Sequence, residues 1–264
     1  MGLSENGYLV FPNVISEELC QAVIWDIEDH LNVDPPILPN ACGMVEIYHC
    51  QSMWDVRQHC AVHNVFSDFD LFGRNDLWVS IDRVSKKMPG EEDPDEYYNG
   101  GFISCHWDIN INQRPRPFAV QGVIALVDTD EDMGGFQCMP GLYKELDNWL
   151  AQKPCGKAWQ SYVKPPYPHE IVRVPMKAGS LLVWDSFLPH GNGLNRGNKI
   201  RYAQYVTMML KGDNRLRTER INCWKTNSPP SDWAFPGDPR MIEQKKKPAI
   251  LVGLGRKLLG LDEW

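Results

Sequence analysis

Apolar residues near the start of the chain recur at every fourth position, as they do on one face of a helix. Leu19, Val23, Ile27 and Leu31 form this stripe, and such spacing places side chains on one side of a helix. Ser16 stands just before the stripe, where a hydroxyl can cap the first turn. The pattern therefore predicts an amphipathic helix that begins after Ser16 and ends before the two consecutive prolines that follow.

From residue 77 onward the pattern changes to short apolar runs separated by turn residues. Such runs, rich in β-branched and aromatic residues, are typical of strands. They fall at 77–84, 118–128, 136–139, 171–175, 180–184 and 202–210. Less regular helical patterns lie at 47–66 and 143–152, and a short strand at 7–12 precedes the first helix.

This order of elements favours a mainly β fold with flanking helices. Strands and helices do not alternate regularly, which argues against a doubly wound parallel sheet. We expect a double-stranded β-helix core, a jelly roll of the cupin-like type, at about residues 77–212. The length of 264 residues suits one domain. We expect residues 1–264 to form it, with a helical N-terminal flank and an irregular C-terminal extension.

The composition narrows the classes of partner. The formal net charge is −7 and the pI is about 5.5, with no basic tract of the kind that binds nucleic acid. No apolar run approaches the roughly 20 residues of a membrane span. The first residues lack the charged and apolar regions of a signal peptide, so we expect none. Eight irregularly spaced cysteines favour free thiols in a reducing, cytoplasmic setting. We expect a monomer or homodimer that binds a small molecule.

An acidic segment with two prolines occupies residues 86–99. A solvated surface loop is the simpler interpretation. A lid beside a functional site is the alternative, because the segment leads directly into the motif that follows.

That motif is a His-x-Asp triplet, His106 and Asp108, preceded by a run of strand composition at 100–105. Residues i and i+2 of a strand point to the same face, so the imidazole and the carboxylate would lie side by side. His190 comes later, between a proline and a glycine that mark a strand end. Two histidines and one carboxylate are the ligand set of non-heme Fe(II) oxygenases. A His–Asp salt bridge without a metal is the alternative.

Other elements accompany these ligands in a fixed order. Gly-Gly and Pro-Gly pairs at 134–135 and 140–141 lie between the two histidines, and Arg201 follows His190. With this order of elements, and over nearly its whole length, the chain resembles the phytanoyl-CoA dioxygenase family of Fe(II)- and 2-oxoglutarate-dependent oxygenases.

The resemblance implies a role for each residue. His106, Asp108 and His190 would be the iron ligands and the catalytic centre. Arg201 would pair with the far carboxylate of 2-oxoglutarate, which a planar guanidinium can bind through two hydrogen bonds. Asn192 stands where many relatives have a small hydroxyl residue near the cosubstrate.

Gln121 is a polar residue inside the apolar run at 118–128. It could face the cosubstrate, which makes it a further cofactor-binding candidate, or it could be hydrogen-bonded in the core.

The resemblance also implies the reaction. With Fe(II), 2-oxoglutarate and O2, such an enzyme oxidises a C–H bond of a small organic metabolite, most simply by hydroxylation, and releases succinate and CO2. Desaturation and ring formation are alternative outcomes. Related halogenases have Gly or Ala in place of the carboxylate ligand, so Asp108 disfavours halogenation.

Other interpretations stay open. The same ligands could serve a non-catalytic jelly-roll protein that keeps a metal for structure, or a zinc hydrolase. Cys105 adjoins His106 and is a candidate nucleophile, although strand neighbours face opposite sides. His59 and His63 have helical spacing suited to a zinc pair, but no further ligands accompany them. Trp107 is expected to point away from the ligands and pack.

Overall fold

Two antiparallel β-sheets face each other, and helices cover the outer face of the larger one. The computed structural model describes residues 3–40, 42–68, 71–91, 105–152, 168–231 and 240–264. The helices there are α1 (Leu3–Asn6), α2 (Glu17–Leu31), α3 (Gln51–Arg57), α4 (Cys60–Ser67), α5 (Pro140–Lys144), α6 (Leu146–Ala151), α7 (Asn214–Thr226) and α8 (Gly253–Leu259), with a short 3-10 helix at Glu243–Lys245. The strands are β1 (Tyr8–Phe11), β2 (Met44–Val45), β3 (Leu77–Val79), β4 (Val84–Lys87), β5 (Val120–Ala125), β6 (Phe136–Cys138), β7 (Val172–Arg173), β8 (Leu181–Asp185), β9 (His190–Asn192), β10 (Arg201–Tyr205) and β11 (Met208–Leu210).

The larger sheet has six strands in the order β1-β8-β5-β10-β4-β2, and every neighbouring pair is antiparallel. The smaller sheet has the order β7-β6-β9. A separate two-stranded sheet is formed by β3 and β11. The rings of Phe136 in the smaller sheet and Trp184 in the larger one lie 4.9 Å apart, so the two sheets pack face to face. We call the face of the larger sheet turned toward β6 and β9 its inner face. The prediction of a mainly β fold with flanking helices is confirmed.

The predicted amphipathic helix is α2. The Ser16 hydroxyl accepts a hydrogen bond from the backbone N–H of Leu19 at 3.2 Å, which satisfies one of the free donors of the first turn. Val23 and Ile27 are fully buried, and they pack in the core outside the larger sheet. The helix ends at Leu31, ahead of the prolines, as the spacing predicts.

Two predicted strands, 77–84 and 202–210, each divide between two sheets. Both breaks lie at one corner. The backbone N–H of Ser80 donates to the carbonyl of Thr207 at 2.7 Å, and the N–H of Thr207 donates to the Ser80 hydroxyl at 3.0 Å. The runs are apolar on both sides of the corner, so the spacing of apolar residues does not reveal where the chain changes sheets.

The predicted helices at 47–66 and 143–152 are also interrupted. His59 has extended backbone angles (φ −69°, ψ 127°) and accepts the N–H of Ala61 on its ring, so α3 ends and α4 begins around it. Glu145 separates α5 from α6. Pro140 at the first position of α5 starts that helix earlier than predicted.

The expectation of an irregular C-terminal extension is wrong, because the extension contains α7 and α8. Asp213 caps α7 by accepting an N–H of its first turn. The buried residues of α7 are Arg220 and Cys223, and Arg220 donates to the carbonyl of Leu258 in α8 at 3.1 Å. The sequence has no clear apolar stripe here, so local spacing does not predict α7. Tertiary contacts such as the one made by Arg220 hold this helix in place.

Glu243 ties the C-terminal extension to the N-terminal flank. Its buried carboxylate accepts the backbone N–H of Tyr48 at 2.9 Å and that of His49. Asn227, just after α7, donates to the carbonyl of Glu243 at 3.1 Å. Burial raises the pKa of the Glu243 carboxyl to about 7, although the two backbone hydrogen bonds oppose the rise.

Two of the predicted segments fall partly outside the described residues. Residues 92–99 of the acidic segment and 100–104 of the strand predicted before His106 lie outside the described residues. Among the described helices, none combines the length and the apolar character that crossing a bilayer requires.

We expect the raised pKa of Glu243 to make the folded protein less stable as pH rises. The folded state keeps the proton up to about pH 7, whereas the unfolded chain releases it near 4.5. The stabilising contribution is therefore complete below the unfolded pKa and is lost as pH rises through the folded pKa. Relative to Glu243→Gln, which cannot ionise, the wild-type free energy of unfolding should fall by roughly 3 kcal/mol between pH 4 and pH 8. Urea titrations of both proteins measure this, and a pH-independent difference would contradict it.

Candidate metal centre

His106 and His190 lie opposite each other on paired backbone segments. The N–H of His106 donates to the carbonyl of His190 at 2.8 Å, and the reverse bond measures 3.0 Å. Residues that exchange both hydrogen bonds in an antiparallel pair carry their side chains on the same face, and the two ring centroids are 4.9 Å apart. The structure thus joins two histidines that are far apart in the sequence.

Asp108 completes the cluster from two residues beyond His106. Its Oδ1 lies 3.4 Å from Nε2 of His106, and its Oδ2 lies 3.2 Å from Nε2 of His190. One ligand atom from each of the three residues falls within 4.8 Å of the others. Neighbouring ligands around an octahedral ion with bonds of about 2.1 Å are about 3 Å apart, so the spacing suits a metal.

The tautomer of His190 supports the same conclusion. Its Nδ1 lies 2.9 Å from the carbonyl of Leu188, and a carbonyl can only accept, so Nδ1 carries the hydrogen. In the neutral ring Nε2 then presents a lone pair toward the carboxylate of Asp108. Two acceptors at this distance need a positive charge between them, either a second proton on the ring or a metal ion. The three residues therefore fit a divalent cation.

The environment keeps the carboxylate ionised. Partial desolvation raises the pKa of Asp108, whose side chain stays 47% exposed, but hydrogen bonds from His106 and His190 lower the pKa well below its usual range. The ring of His190 packs against two aromatic side chains that also contact each other: the Phe136 ring is stacked with it at 6.0 Å between centroids, and the Trp184 ring lies 4.9 Å away. This packing restricts the orientation of the ligand ring.

A cavity of about 470 Å³ opens beside the three side chains. This size is within the range of small-molecule sites. Its walls include aromatic, apolar and charged residues, among them Met44, Arg83, Phe136, Trp184, Tyr205 and Thr207. The site therefore lies at one side of a pocket that could admit an organic molecule.

Arg201 lies on the inner face of β10, away from the cavity wall. It is 3% exposed, and its hydrogen bond within the described part of the chain is a 3.5 Å contact from Nη1 to the Ser85 hydroxyl. No carboxylate among the described residues pairs with it. A buried guanidinium without a counter-ion is costly, which suits a residue that receives an anionic ligand.

Asn192 lines the cavity, and its side-chain amide donates to the Tyr205 hydroxyl at 2.7 Å. Tyr205 also lines the cavity, and it lies on the same face of β10 as Arg201 because the two are an even number of residues apart. Since its oxygen accepts from Asn192, its own proton is available to the cavity. The sequence pattern did not single out Tyr205, although this alternation along the strand from Arg201 could have indicated it.

Gln121 projects from β5 toward the same centre. Its Nε2 donates to Oδ2 of Asp108 at 2.8 Å, and the residue lines the cavity. The sequence raised two possibilities for Gln121, a place facing the cosubstrate or a hydrogen bond in the core. Gln121 faces the cavity, and it is hydrogen-bonded to Asp108, a proposed metal ligand.

The other candidates have structural partners. Trp107 is buried away from the ligands and donates to the carbonyl of Phe187 at 2.8 Å. Cys105 is fully buried, and desolvation raises its pKa to about 12, so it is not poised as a nucleophile. His63 bonds the carbonyl of Asn75 at 2.9 Å. Within the described chain, the group that could hold a metal is the cluster of residues 106, 108 and 190.

Comparison with known proteins places this geometry in a family. A sequence model of the family described as phytanoyl-CoA dioxygenase (PhyH) matches residues 96–203. A Dictyostelium discoideum protein classed with phytanoyl-CoA dioxygenase is 30% identical over an alignment of 253 residues. The alignment covers 76% of this chain and 71% of that one. The chain belongs to the phytanoyl-CoA dioxygenase family.

Solved structures show the same fold as the PhyH chain. The GlcNAc-inducible gene 2 protein of Candida albicans has a TM-score of 0.75 at 14% identity, covering 99% of this chain and 75% of its own. The epimerase SnoN, solved with Fe3+, alpha ketoglutarate and nogalamycin RO, has a TM-score of 0.54 at 17% identity, with 95% and 93% covered. These similarities confirm the predicted jelly-roll core. Proteins of the PhyH family use Fe(II), 2-oxoglutarate and O2, so the cofactor prediction is confirmed and the function is of the dioxygenase type.

We expect Asp108→Ala to weaken binding of a divalent ion at this centre by about 100-fold or more, because it removes the anionic ligand and leaves two imidazoles. Calorimetric titration with Co(II) measures the affinity. Asp128→Ala, which removes an exposed carboxylate bonded to Lys177, is the matched control and should bind as the wild type does. Equal affinities for all three proteins would show that the ion binds elsewhere.

Proposed function

We propose that the protein is an Fe(II)- and 2-oxoglutarate-dependent dioxygenase that hydroxylates a C–H bond of a small organic metabolite. One observation carries the proposal. His106, Asp108 and His190 converge beside a cavity, and a buried Arg201, which no carboxylate of the described residues pairs with, lies on the same side of the larger sheet. A metal kept for structure alone would not need that guanidinium.

The residues of the chain have separate tasks in this proposal. His106, Asp108 and His190 would hold the iron on one face and leave its other positions to ligands. When bound, Fe(II) with 2-oxoglutarate and O2 supplies the oxidising power that converts 2-oxoglutarate to succinate and CO2 and attacks a substrate C–H bond.

Arg201 would bind the far carboxylate of 2-oxoglutarate. Its contact with Ser85 supports this role: Ser85 is paired in register with Ala203, so the side chain extends along the sheet from its own backbone position in the direction of Tyr205. The hydroxyl of Tyr205 and the amide of Asn192 lie along this path and would contact the cosubstrate.

The cavity walls would position the substrate. Phe136 and Trp184 offer apolar surface next to His190, and Arg83 adds a cation. Enclosure by such walls strengthens polar interactions inside the site and limits side reactions with water. The presence of Asp108 favours hydroxylation over halogenation, while desaturation and ring formation use the same residues and remain the alternative outcomes.

We further propose that residues 1–264 act as one oxygenase domain in the cytoplasm. Seven free cysteines among the described residues suit a reducing compartment.

We expect succinate to form from 2-oxoglutarate only when Fe(II) is present, and more rapidly with the correct metabolite. Mass spectrometry of succinate in reactions supplied with fractionated metabolites measures this. His190→Ala is expected to abolish the signal because it removes a ligand.

Binding provides an independent test of the same proposal. The Fe(II)-loaded protein should develop a visible absorption band when 2-oxoglutarate is added without O2. Metal binding without any binding of 2-oxoglutarate would contradict the proposal and favour a non-catalytic metal-binding protein. Activity with zinc and none with iron would favour a hydrolase.

We expect Arg201→Gln to weaken 2-oxoglutarate binding by about 10- to 100-fold, the loss typical of a charged hydrogen-bonding pair. The ligand-free variant should be at least as stable as the wild type in urea, because a buried cation without a counter-ion has been removed. Arg215→Gln changes an exposed arginine of α7 and is the control. Unchanged binding in Arg201→Gln would show that another group anchors the cosubstrate.

A further inference from the structure

Gln121 contacts the proposed carboxylate ligand directly. Its Nε2 lies 2.8 Å from Oδ2 of Asp108, shorter than the distances of 3.4 Å and 3.2 Å from that carboxylate to His106 and His190. The amide is therefore the nearest described hydrogen-bond donor to the carboxylate.

The orientation of the amide follows from chemistry. An ionised carboxylate only accepts hydrogen bonds, so the nitrogen of Gln121 must face Asp108 and the oxygen must face away. That oxygen, Oε1, is buried and has no hydrogen-bond partner in the described part of the chain. Leaving a buried acceptor unpaired costs free energy, so packing alone does not account for a glutamine at this position.

The pairing of β5 with β8 fixes the position of Gln121 in the larger sheet. It is paired in register with Trp184 on β8, and Trp184 also packs against His190. Two neighbouring inner-face residues of the larger sheet thus contact two of the three proposed ligands, one through a hydrogen bond and one through ring packing. The larger sheet serves as a rigid support for the centre.

Gln204 provides a contrast on the adjacent strand β10. It too is a buried glutamine whose Oε1 has no partner among the described residues. Its Nε2, however, donates to the carbonyl of Met53 at 3.0 Å, because it lies between two inner-face residues and points to the outer face. The two glutamines share chemistry and burial of the acceptor but differ in the face they occupy.

We propose that Gln121 is a positioning residue for the metal centre: its amide holds one oxygen of Asp108 and thereby leaves the other oxygen free to bind the metal. The inference rests on the proposed function, since it assumes that Asp108 is a ligand. Hydrogen bonds to ligating carboxylates orient them and commonly raise metal affinity 10- to 100-fold. Without the bond the carboxylate could turn away or bind the metal through both oxygens.

The test compares Gln121→Leu with Gln204→Leu. Both changes replace an amide whose oxygen is buried with an apolar group of similar size. We expect Gln121→Leu to weaken Co(II) binding about 10-fold by calorimetry and to change the visible Co(II) spectrum, because the carboxylate takes another coordination mode. Gln204→Leu should leave both the affinity and the spectrum as in the wild type. Equal effects of the two variants would overturn the proposal.

A double-mutant cycle shows whether Gln121 acts through Asp108. In an Asp108→Ala background, Gln121→Leu should change the Co(II) affinity less than two-fold, because the group it orients is gone. An undiminished 10-fold effect there would assign another role to Gln121 and contradict the proposal. If Gln121→Leu does not fold, Gln121→Met, a flexible side chain that also lacks a donor, is measured in its place.

The outcomes separate this inference from the proposed function. If Asp108→Ala binds Co(II) as tightly as the wild type, the metal centre itself is wrong. If Asp108→Ala loses binding while Gln121→Leu retains wild-type affinity and spectrum, the centre stands and the role of Gln121 is refuted.

Discussion

The pairing of the backbone at residues 106 and 190 is the constraint on which the centre depends. Two reciprocal hydrogen bonds hold His106 and His190 directly opposite each other, so their imidazoles meet without any contribution from side-chain flexibility. Asp108 joins them because residues two apart in a locally extended chain point to the same face. A shift of this pairing by one residue would turn His190 to the other face of its strand. Residues held on paired backbone segments are placed more accurately than residues on free loops.

The end of the site near Arg201 contains positive charge that the described part of the protein only partly neutralises. Lys87 is paired in register with Arg201, and both are buried. Lys87 has its own partner in Glu91, at 3.0 Å, and burial, opposed by that carboxylate, lowers its pKa. Arg201 has no such carboxylate among the described residues. Keeping one cation uncompensated costs several kcal/mol in a folded chain, and a dianionic cosubstrate would supply the missing charge.

The same region joins the strand that carries His190, in the smaller sheet, to the larger sheet. Lys87 donates to the carbonyl of Gly193 just beyond β9, and Asn195 bonds both the carboxylate of Glu91, at 2.7 Å, and the carbonyl of Lys87, at 3.1 Å. The loop that follows β9 is thereby fastened to β4. Gln121 makes a second link, from the larger sheet to Asp108 on the segment that pairs with His190.

The sequence by itself determined the class of fold, helix α2 and the three residues that meet at the centre. These features depend on local spacing: a helical stripe, alternation along a strand, and a histidine at a strand end. The corner near Ser80 and the two helices of the C-terminal extension depended on tertiary structure, because they involve partners far away in the chain. The same reason explains Gln121 and Tyr205. Their chemistry was visible in the sequence, but only the register between neighbouring strands and the packing of one sheet on the other decided that Gln121 meets Asp108 and that Tyr205 meets Asn192.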